Sequence, residues 1–216
     1  KGEVIFGGED LTKVTYERLR ELRGSEISMI FQEPMTALNP VMTIGDQIDE
    51  IFRYHVSLSP KERAEKALSR LVDVNLPGPE KINDAYPHEL SGGQRQRSMI
   101  AMALALGPKI LIADEPTTAL DVTIQAQILD LMTKLKDEVG MSILFITHDL
   151  GLIEKFSDTI TVMQEGAVVE QGDTKAVFSN PQHVYTQKLI NSEPSIKQET
   201  LTGEPPLITV KDLNIF

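Results

Sequence analysis

Polar side chains follow three apolar, strand-like runs, each near the point where the run ends. The run ILIADEP ends with the adjacent carboxylates Asp114 and Glu115, the run SILFITHD carries His148, and the run EISMIFQEP carries Gln32. The carboxyl edge of a parallel sheet is where α/β proteins bind their ligands. These four side chains are therefore candidates for binding a ligand or acting on it.

The types of these side chains suit chemistry on a phosphate. An aspartate at a strand end can hold Mg²⁺ directly or through water, and the glutamate beside it can polarise an attacking water. A neutral imidazole at His148 can hydrogen-bond a phosphate oxygen or position a water, and Gln32 can reach a metal or a water. A strand that simply ends in polar residues explains each feature equally well. Taken one at a time, these residues leave both explanations open.

The stretch LSGGQ predicts an anion site at the start of a helix. Ser91 can cap that helix, while Gly92 and Gly93 expose backbone N–H groups with no Cβ in the way. The helix dipole adds partial positive charge at the same place, which makes phosphate the expected anion. A capped helix with a flexible entry explains the same residues without a ligand, so this alternative also stays open.

The elements that must position these residues alternate along the chain. Apolar strands without polar alternation, separated by helices, predict a parallel sheet covered on both faces, which is an α/β fold. Every regular element predicted between residues 45 and 107 is a helix, which indicates a helical subdomain. Within it we predict a loop at 77–89 and a helix at 91–106. Ser59, followed three positions later by Glu62, predicts a capping box at the start of one of its helices.

Turn and linker signals divide the rest of the sequence. The run TITVMQEGAVVEQG alternates around Gly166 and predicts a β-hairpin. The run GEVIFGG near the beginning predicts a strand, and MTALNPVMT is rich in residues that favour turns. The polar, proline-containing run NSEPSIKQETLTGEPPL has the composition of a linker, and LITVKDLNIF after it resembles the beginning of a new strand.

Composition excludes several classes of protein. A net charge of −11 argues against a nucleic-acid-binding surface, which needs positive charge to replace counterions. The absence of cysteine removes disulfides, thiolate metal sites and cysteine nucleophiles, and fits a reducing compartment. No apolar run reaches the roughly 18–20 residues of a membrane-spanning helix, and the first residues lack the apolar core of a signal peptide. The sequence also starts without methionine, so we expect it to begin inside a longer protein.

Taken together and in this order, the motifs resemble those of the nucleotide-binding domain of ATP-binding cassette (ABC) transporters. LSGGQ at 90–94 is similar to the signature motif, ILIADEP to Walker B with its catalytic glutamate, and TTALD at 117–121 to the D-loop. His148 resembles the switch histidine and Gln32 the glutamine of the Q-loop. The resemblance covers roughly residues 1–190 and implies a mostly parallel sheet of the RecA-like P-loop type with a helical ABC subdomain.

The resemblance implies a mechanism as well. In this family two cassettes close head to tail around two ATP molecules, and the signature of one grips the γ-phosphate of ATP held by the Walker A loop of the other. On this resemblance Glu115 is the general base, His148 senses the γ-phosphate, and Asp114 and Gln32 contact Mg²⁺ and the attacking water. Asp121 couples the two cassettes across their interface. The nucleotide of the partner is contacted by Ser91, Gly92, Gly93 and Gln94.

Two longer stretches narrow the resemblance to the oligopeptide/dipeptide importers. MIFQEPMTALNPVMTIGDQI is similar to the Q-loop region of those ATPases, and NPQHVYTQKLINSEPS to the segment after their cassette. PPLITVKDLNIF resembles the first strand of a second cassette, which suggests a fused tandem ATPase. The implied partners are a second ABC cassette, transmembrane permease subunits and, indirectly, a substrate-binding protein. The implied location is peripheral, on the cytoplasmic face of the inner membrane.

The resemblance also divides the chain into segments. They are an ATPase core with the Q-loop (1–44), the helical subdomain with the signature (45–107), the rest of the core (108–178), a post-cassette segment and linker (179–206) and the start of a second cassette (207–216).

One motif of the family has no counterpart in this sequence. No Gly-x-x-x-x-Gly-Lys occurs in the 216 residues. A Walker A loop supplies backbone N–H groups and a lysine to the β- and γ-phosphates. We therefore expect the full protein to be an ATPase and the 216-residue chain alone to be inactive.

A different class of ABC protein is the alternative. Non-transport ABC ATPases act in translation or DNA repair, and the repair type inserts a long coiled coil between the Q-loop and the signature. Gln32 and Ser91 are only 59 positions apart, and the acidic balance disfavours nucleic acid. The transport ATPase is therefore the preferred hypothesis.

Overall fold

The structure is a computed structural model and describes residues 2–117 and 120–192. The chain divides into two units, residues 1–158 and 159–216. The strands of the first unit are β1 (Ile5–Phe6), β2 (Glu9–Asp10), β3 (Ile27–Ile30), β4 (Ile110–Asp114) and β5 (Ser142–Ile146). Its α-helices are α1 (Tyr16–Leu22), α2 (Pro34–Ala37), α3 (Ile44–His55), α4 (Pro60–Asp73), α5 (Pro79–Asp84), α6 (Gly92–Ala103), α7 (Val122–Val139) and α8 (Leu150–Phe156).

Strands β3, β4 and β5 form a parallel sheet in that order. Ile30 pairs with Ala113, and Ala113 pairs in turn with Phe145, so the three carboxyl ends meet at one edge. The predicted parallel sheet with intervening helices is therefore confirmed. The predicted opening strand is only two residues long, and it pairs antiparallel with β2.

The core of this unit joins the sheet to a group of helices between β3 and β4. Ile44, Ile48 and Phe52 lie one helical turn apart on α3 and are completely or almost completely buried. Helices α3, α4 and α5 pack against one another and α6 packs on β3, so the predicted helical part sits directly on the sheet. Burial of these apolar faces, more than helix propensity, stabilises helices of this length.

The start of α4 is the predicted capping box. The Ser59 hydroxyl accepts from the Glu62 N–H at 3.3 Å, and the Glu62 carboxylate accepts from the Ser59 N–H at 2.8 Å. Pro60 occupies the first turn, where its missing N–H is harmless. The capping box satisfies two N–H groups that would otherwise lack partners.

The prediction of a loop over 77–89 was wrong. Gly78 adopts the left-handed conformation, with φ of 64°, and Pro79 begins the short helix α5. Pro87–Glu89 forms a turn of 3₁₀ helix immediately before the signature. The prolines mark the starts of these two helices, since proline fits the first helical turn as well as a loop.

Two helix boundaries also differ from the prediction. The turn-rich stretch after Gln32 begins with the single helical turn α2. Helix α6 ends at Ala103 instead of 106, and the N–H of the capping residue Leu104 donates to the carbonyls of Ile100 and Met102.

The second unit begins with the predicted hairpin. Its elements are β6 (Thr159–Gln164), β7 (Ala167–Asp173), α9 (Thr174–Ser179) and α10 (Val184–Ser192). Glu165 and Gly166 both have positive φ, 52° and 79°, as the tightest hairpin turn requires. The Glu170 carboxylate on β7 accepts from the N–H groups of Gln182 and His183 and so holds the start of α10.

No helix among the described residues has the length and apolar character needed to cross a bilayer. The predicted linker from 193 and the predicted start of a second cassette at 207–216 lie outside the described residues. The same holds for two residues of the TTALD stretch, 118 and 119.

Candidate functional site

The carboxyl edge of the sheet carries four of the predicted site residues. Asp114 is the last residue of β4 and Glu115 follows it. Gln32 lies two positions beyond the end of β3, and His148 two positions beyond the end of β5. The strand ends thus bring together side chains that are far apart in the sequence.

Glu115 lies at the centre of this group. Its carboxylate accepts a hydrogen bond from the Gln32 amide at 3.0 Å on Oε2, and its Oε1 lies 2.9 Å from Nδ1 of His148. The Glu115 side chain is 22% exposed, whereas the His148 side chain is 77% exposed. A shielded carboxylate is therefore held from two sides, with one partner open to solvent.

The backbone of Glu115 is strained. Its φ of 44° lies in the left-handed region, which costs a non-glycine residue roughly 1–2 kcal/mol. The Glu115 N–H donates to the Ile146 carbonyl at 2.9 Å and so continues the ladder between β4 and β5. Strain of this kind persists where neighbouring groups hold the backbone in place, as they commonly do at functional sites.

The contact with Glu115 favours the protonated form of His148. Hydrogen bonding and charge from Glu115 raise the pKa of the His148 imidazole. Because a carboxylate only accepts, Nδ1 must carry a hydrogen. The exposed Nε2 can then donate to a ligand only when the ring is the imidazolium, a form that Glu115 stabilises.

Asp114 and Gln32 are the predicted metal ligands. The Asp114 carboxylate is half-buried, and within the described residues it has no hydrogen-bond or ion-pair partner. No three acidic, histidine or cysteine side chains in residues 2–117 and 120–192 form a metal cluster. One or two protein oxygens fit Mg²⁺, which takes its remaining ligands from water and substrate phosphates.

The predicted anion site forms the start of α6. The Ser91 hydroxyl accepts from the Gln94 N–H at 3.3 Å, and the Gln94 side chain accepts from the Ser91 N–H at 2.9 Å. Ser91 and Gly92 are exposed, so an anion can approach them. The side-chain oxygen of Gln94 already has a partner inside this capping box.

Asp121 lies beside the anion site. Its carboxylate caps α7 by accepting from the Ile124 N–H at 2.9 Å. A Cβ on Gly93 would lie 3.1 Å from Cγ2 of Ile124, so the first turns of α6 and α7 pack closely. The structure thus shows two groups of predicted site residues, one hydrogen-bonded around Glu115 and one in the capping box of Ser91 and Gln94.

Gln96 was missed by the sequence analysis. It lies on α6, is 2% exposed, and its amide donates to the carbonyl of Pro116, the residue after Glu115. A signal was present, since Gln96 shares a helical face with the buried Met99, Ile100 and Ala103. A glutamine on a buried face needs a partner, which points to a specific contact.

Arg97 holds α6 to its neighbours. Its guanidinium donates to the Val74 carbonyl and to the Gln127 side chain, both at 3.0 Å. Partial burial lowers the pKa of Arg97. The arginine therefore makes packing contacts and does not lie at the exposed anion site.

Two family models match this chain, one over its first half and one near its end. Residues 1–118 match the model described as "ABC transporter". Residues 169–213 match the model described as "Oligopeptide/dipeptide transporter, C-terminal region". The second match includes part of the segment predicted to begin a second cassette.

Two relatives named as transport ATP-binding proteins are similar over almost the whole chain. The "Peptidoglycan transport ATP-binding protein YejF" of Agrobacterium fabrum is 54% identical over 95% of this chain and 36% of its own length. The "Oligopeptide transport ATP-binding protein OppD" of Bacillus subtilis is 48% identical over 97% of this chain and 60% of its own length. The chain thus spans about a third of the length of the first relative and three fifths of the length of the second.

A solved structure is similar as well. The ATP-binding cassette MJ0796, solved as a dimer in a post-hydrolysis state bound to ADP and Pi, has a TM-score of 0.71 and 32% identity. The match covers 81% of this chain and 74% of that one.

Proposed function

This chain belongs to the ABC transporter family, and we propose that it forms part of an ATPase subunit that drives the import of peptides or related solutes. The observation that carries the proposal is the position of Glu115 between Gln32 and His148 at the carboxyl edge of the sheet. A carboxylate held there can activate a water beside a bound triphosphate.

Glu115 acts as the general base. A carboxylate has about four acceptor positions, so Glu115 can accept from an attacking water while it keeps its bonds to Gln32 and His148. As the water oxygen bonds to the γ-phosphorus, its proton passes to Glu115 and the bond to the β-phosphate oxygen breaks. ADP and inorganic phosphate are the products.

His148 and Gln32 orient this carboxylate. When the ring is the imidazolium, the exposed Nε2 of His148 donates to a γ-phosphate oxygen and offsets the charge that develops there. Gln32 fixes the second carboxylate oxygen, and with Asp114 it offers oxygen ligands to Mg²⁺. The metal, when bound, neutralises phosphate charge.

The anion site at the start of α6 serves a second nucleotide. Ser91 and Gly92 are exposed, and the similar cassette MJ0796 was solved as a dimer, which supports a contact with ATP bound to a partner cassette. Asp121, next to this site, faces the same interface and couples the two halves. The Gln94 side chain acts by holding the capping box that orients the Ser91 hydroxyl.

The phosphate-binding loop comes from residues other than these. The 216 residues contain no Gly-x-x-x-x-Gly-Lys pattern, and without such a loop the β-phosphate lacks its usual backbone donors. We infer that this stretch of chain, tested by itself, does not turn over ATP and that activity requires the full polypeptide with its partner cassette.

The names of the relatives favour an importer of peptides. A substrate-binding protein would deliver the solute to transmembrane permease subunits, and the cassettes would attach peripherally to those subunits at the cytoplasmic face of the inner membrane. The acidic net charge of −11 fits this role better than binding nucleic acid.

The test is ATP hydrolysis by the full-length protein, purified with its permease subunits. Glu115→Gln should lower kcat by at least about 10²-fold and leave ATP binding intact, because only the base is lost. Hydrolysis that survives Glu115→Gln would overturn the role of Glu115. Glu33→Gln is the matched control on a neighbouring exposed carboxylate, and its kcat should stay within about twofold of the wild type.

A further inference from the structure

We propose that Gln96 is a positioning residue that ties the signature helix to the backbone beside the catalytic base, so that an anion bound at the start of α6 influences the geometry of Glu115. The proposal rests on the ATPase function proposed above and adds a residue and a connection to it.

The connection consists of one buried hydrogen bond. The Gln96 amide, on a side chain only 2% exposed, donates to the carbonyl of Pro116. Pro116 and Thr117 are buried as well, which limits the access of water to that carbonyl. A buried carbonyl that loses its donor is costly to the fold, which makes this contact a strong constraint on the segment after β4.

Glu115 is the residue that this constraint acts on. It has the left-handed φ of 44°, and its N–H is fixed to Ile146 on the sheet side. Gln96 fixes the peptide group on the other side, at Pro116. With both flanks held, the strained backbone keeps the carboxylate directed at Gln32 and His148.

The other end of the connection is the anion site. Gln96 lies five positions after Ser91, just over one turn into the same rigid helix. A shift or rotation of α6 when Ser91 and Gly92 meet a phosphate therefore moves the Gln96 amide. The bond from Gln96 to Pro116 runs from α6 to the segment that follows β4, and it links the helix of the anion site to the residue after Glu115.

A purely structural role for Gln96 predicts a different result. A buried glutamine could simply satisfy a carbonyl and stabilise the fold, in which case its loss lowers the melting temperature and leaves the kinetics alone. Arg97 provides the comparison, because it also holds α6 to its neighbours but makes no hydrogen bond or ion pair with the described residues 114–117.

The experiment compares Gln96→Met with Arg97→Met in the full-length protein assembled with its permease subunits. Both should lower the melting temperature. Gln96→Met should also lower kcat at least about tenfold while KM for ATP stays within about twofold, since misplacement of a catalytic group reduces kcat strongly. Arg97→Met should change kcat by less than about twofold, because it leaves the Pro116 carbonyl paired.

A second readout follows the backbone directly. Hydrogen exchange of the Glu115 amide should be faster in Gln96→Met and unchanged in Arg97→Met. Gln96→Glu provides a test of rescue by pH. The ionised carboxylate of the new side chain cannot donate to the Pro116 carbonyl, whereas the protonated carboxyl can. The activity of Gln96→Glu relative to the wild type should therefore rise as the pH is lowered from about 8 to about 6, given that burial raises a carboxyl pKa.

The outcomes separate this inference from the proposed function. If Glu115→Gln abolishes hydrolysis while Gln96→Met and Arg97→Met have equal kcat, the positioning role is wrong and the ATPase role stands. If Glu115→Gln leaves hydrolysis intact, the proposed function itself fails.

Discussion

The imidazole of His148 lies against the carboxylate of Glu115, with 2.9 Å between Nδ1 and Oε1, although the two residues are 33 positions apart. Strands β4 and β5 pair in parallel up to Asp114 and Ile146, so the residues just beyond them are brought side by side. This contact couples the charge of an exposed ring to a shielded carboxylate.

The pKa of His148 should therefore fall when Glu115 loses its charge. Glu115 raises this pKa through a hydrogen bond and through its charge, and Glu115→Gln removes the charge. Titration of the His148 ring by NMR should show a lower pKa in Glu115→Gln than in the wild type.

The same contact should make the free energy of unfolding depend on pH, with the larger stabilisation at low pH. Because the folded pKa of His148 is raised above its ordinary 6.5, the contact stabilises the fold fully below that pH and loses its effect as the pH rises through the folded pKa. Wild type and His148→Gln should differ in unfolding free energy at pH 5.5 more than at pH 9. An equal difference at both pH values would contradict the ion pair.

Gly45→Ala should destabilise the helical part of the first unit. Alanine normally favours a helix over glycine, by up to about 1 kcal/mol. A Cβ on Gly45, however, would clash with Oδ1 of Asn83, so α3 and α5 must move apart or the Asn83 side chain must swing away. We expect a net loss of about 1 kcal/mol in urea unfolding. The double variant Gly45→Ala/Asn83→Ala should recover it, and failure to recover would exclude this contact as the cause.

Ser59→Ala should also cost about 1 kcal/mol, because it removes one half of the capping box at the start of α4. Ser69→Ala is the matched control, since Ser69 is exposed in the middle of the same helix, and its effect should stay within about 0.5 kcal/mol. Equal effects of the two substitutions would mean that the cap contributes nothing. Urea unfolding monitored by circular dichroism measures both.

The capping box also illustrates what the sequence can predict. Ser59 and Glu62 interact three positions apart, so a local pattern is sufficient to identify their contact. Strands such as β4 can also be predicted from a local pattern, because a run of apolar residues without polar alternation indicates a buried parallel strand. Where local chemistry fits two structures, prediction fails, as it did at Gly78 and Pro79, which suit a loop and a helix start equally well.

The candidate site depended on contacts that no local pattern contains. Gln32 and Glu115 are 83 positions apart, and their hydrogen bond follows from the strand order of the sheet. The residue types and their order were sufficient to select them as candidates. The sequence did not indicate that Gln32 would bond to the Glu115 carboxylate, nor that Gln96 would reach Pro116, because both depend on how helices and strands pack.

Gly93 has two separate reasons to be glycine, and a double variant can distinguish them. An added Cβ would lie 3.1 Å from Cγ2 of Ile124, so Gly93→Ala should cost stability through this packing contact. The same Cβ would also stand where a phosphate approaches the start of α6, so ATP hydrolysis by the assembled full-length protein should fall.

Ile124→Ala relieves the packing contact only. In a double-mutant cycle the two substitutions should therefore couple by about 0.5–1 kcal/mol in unfolding free energy. Gly93→Ala/Ile124→Ala should remain as poor an ATPase as Gly93→Ala, with Ile124→Ala alone as the control. Recovery of hydrolysis in the double variant would mean that Gly93 serves packing alone and that the anion site lies elsewhere.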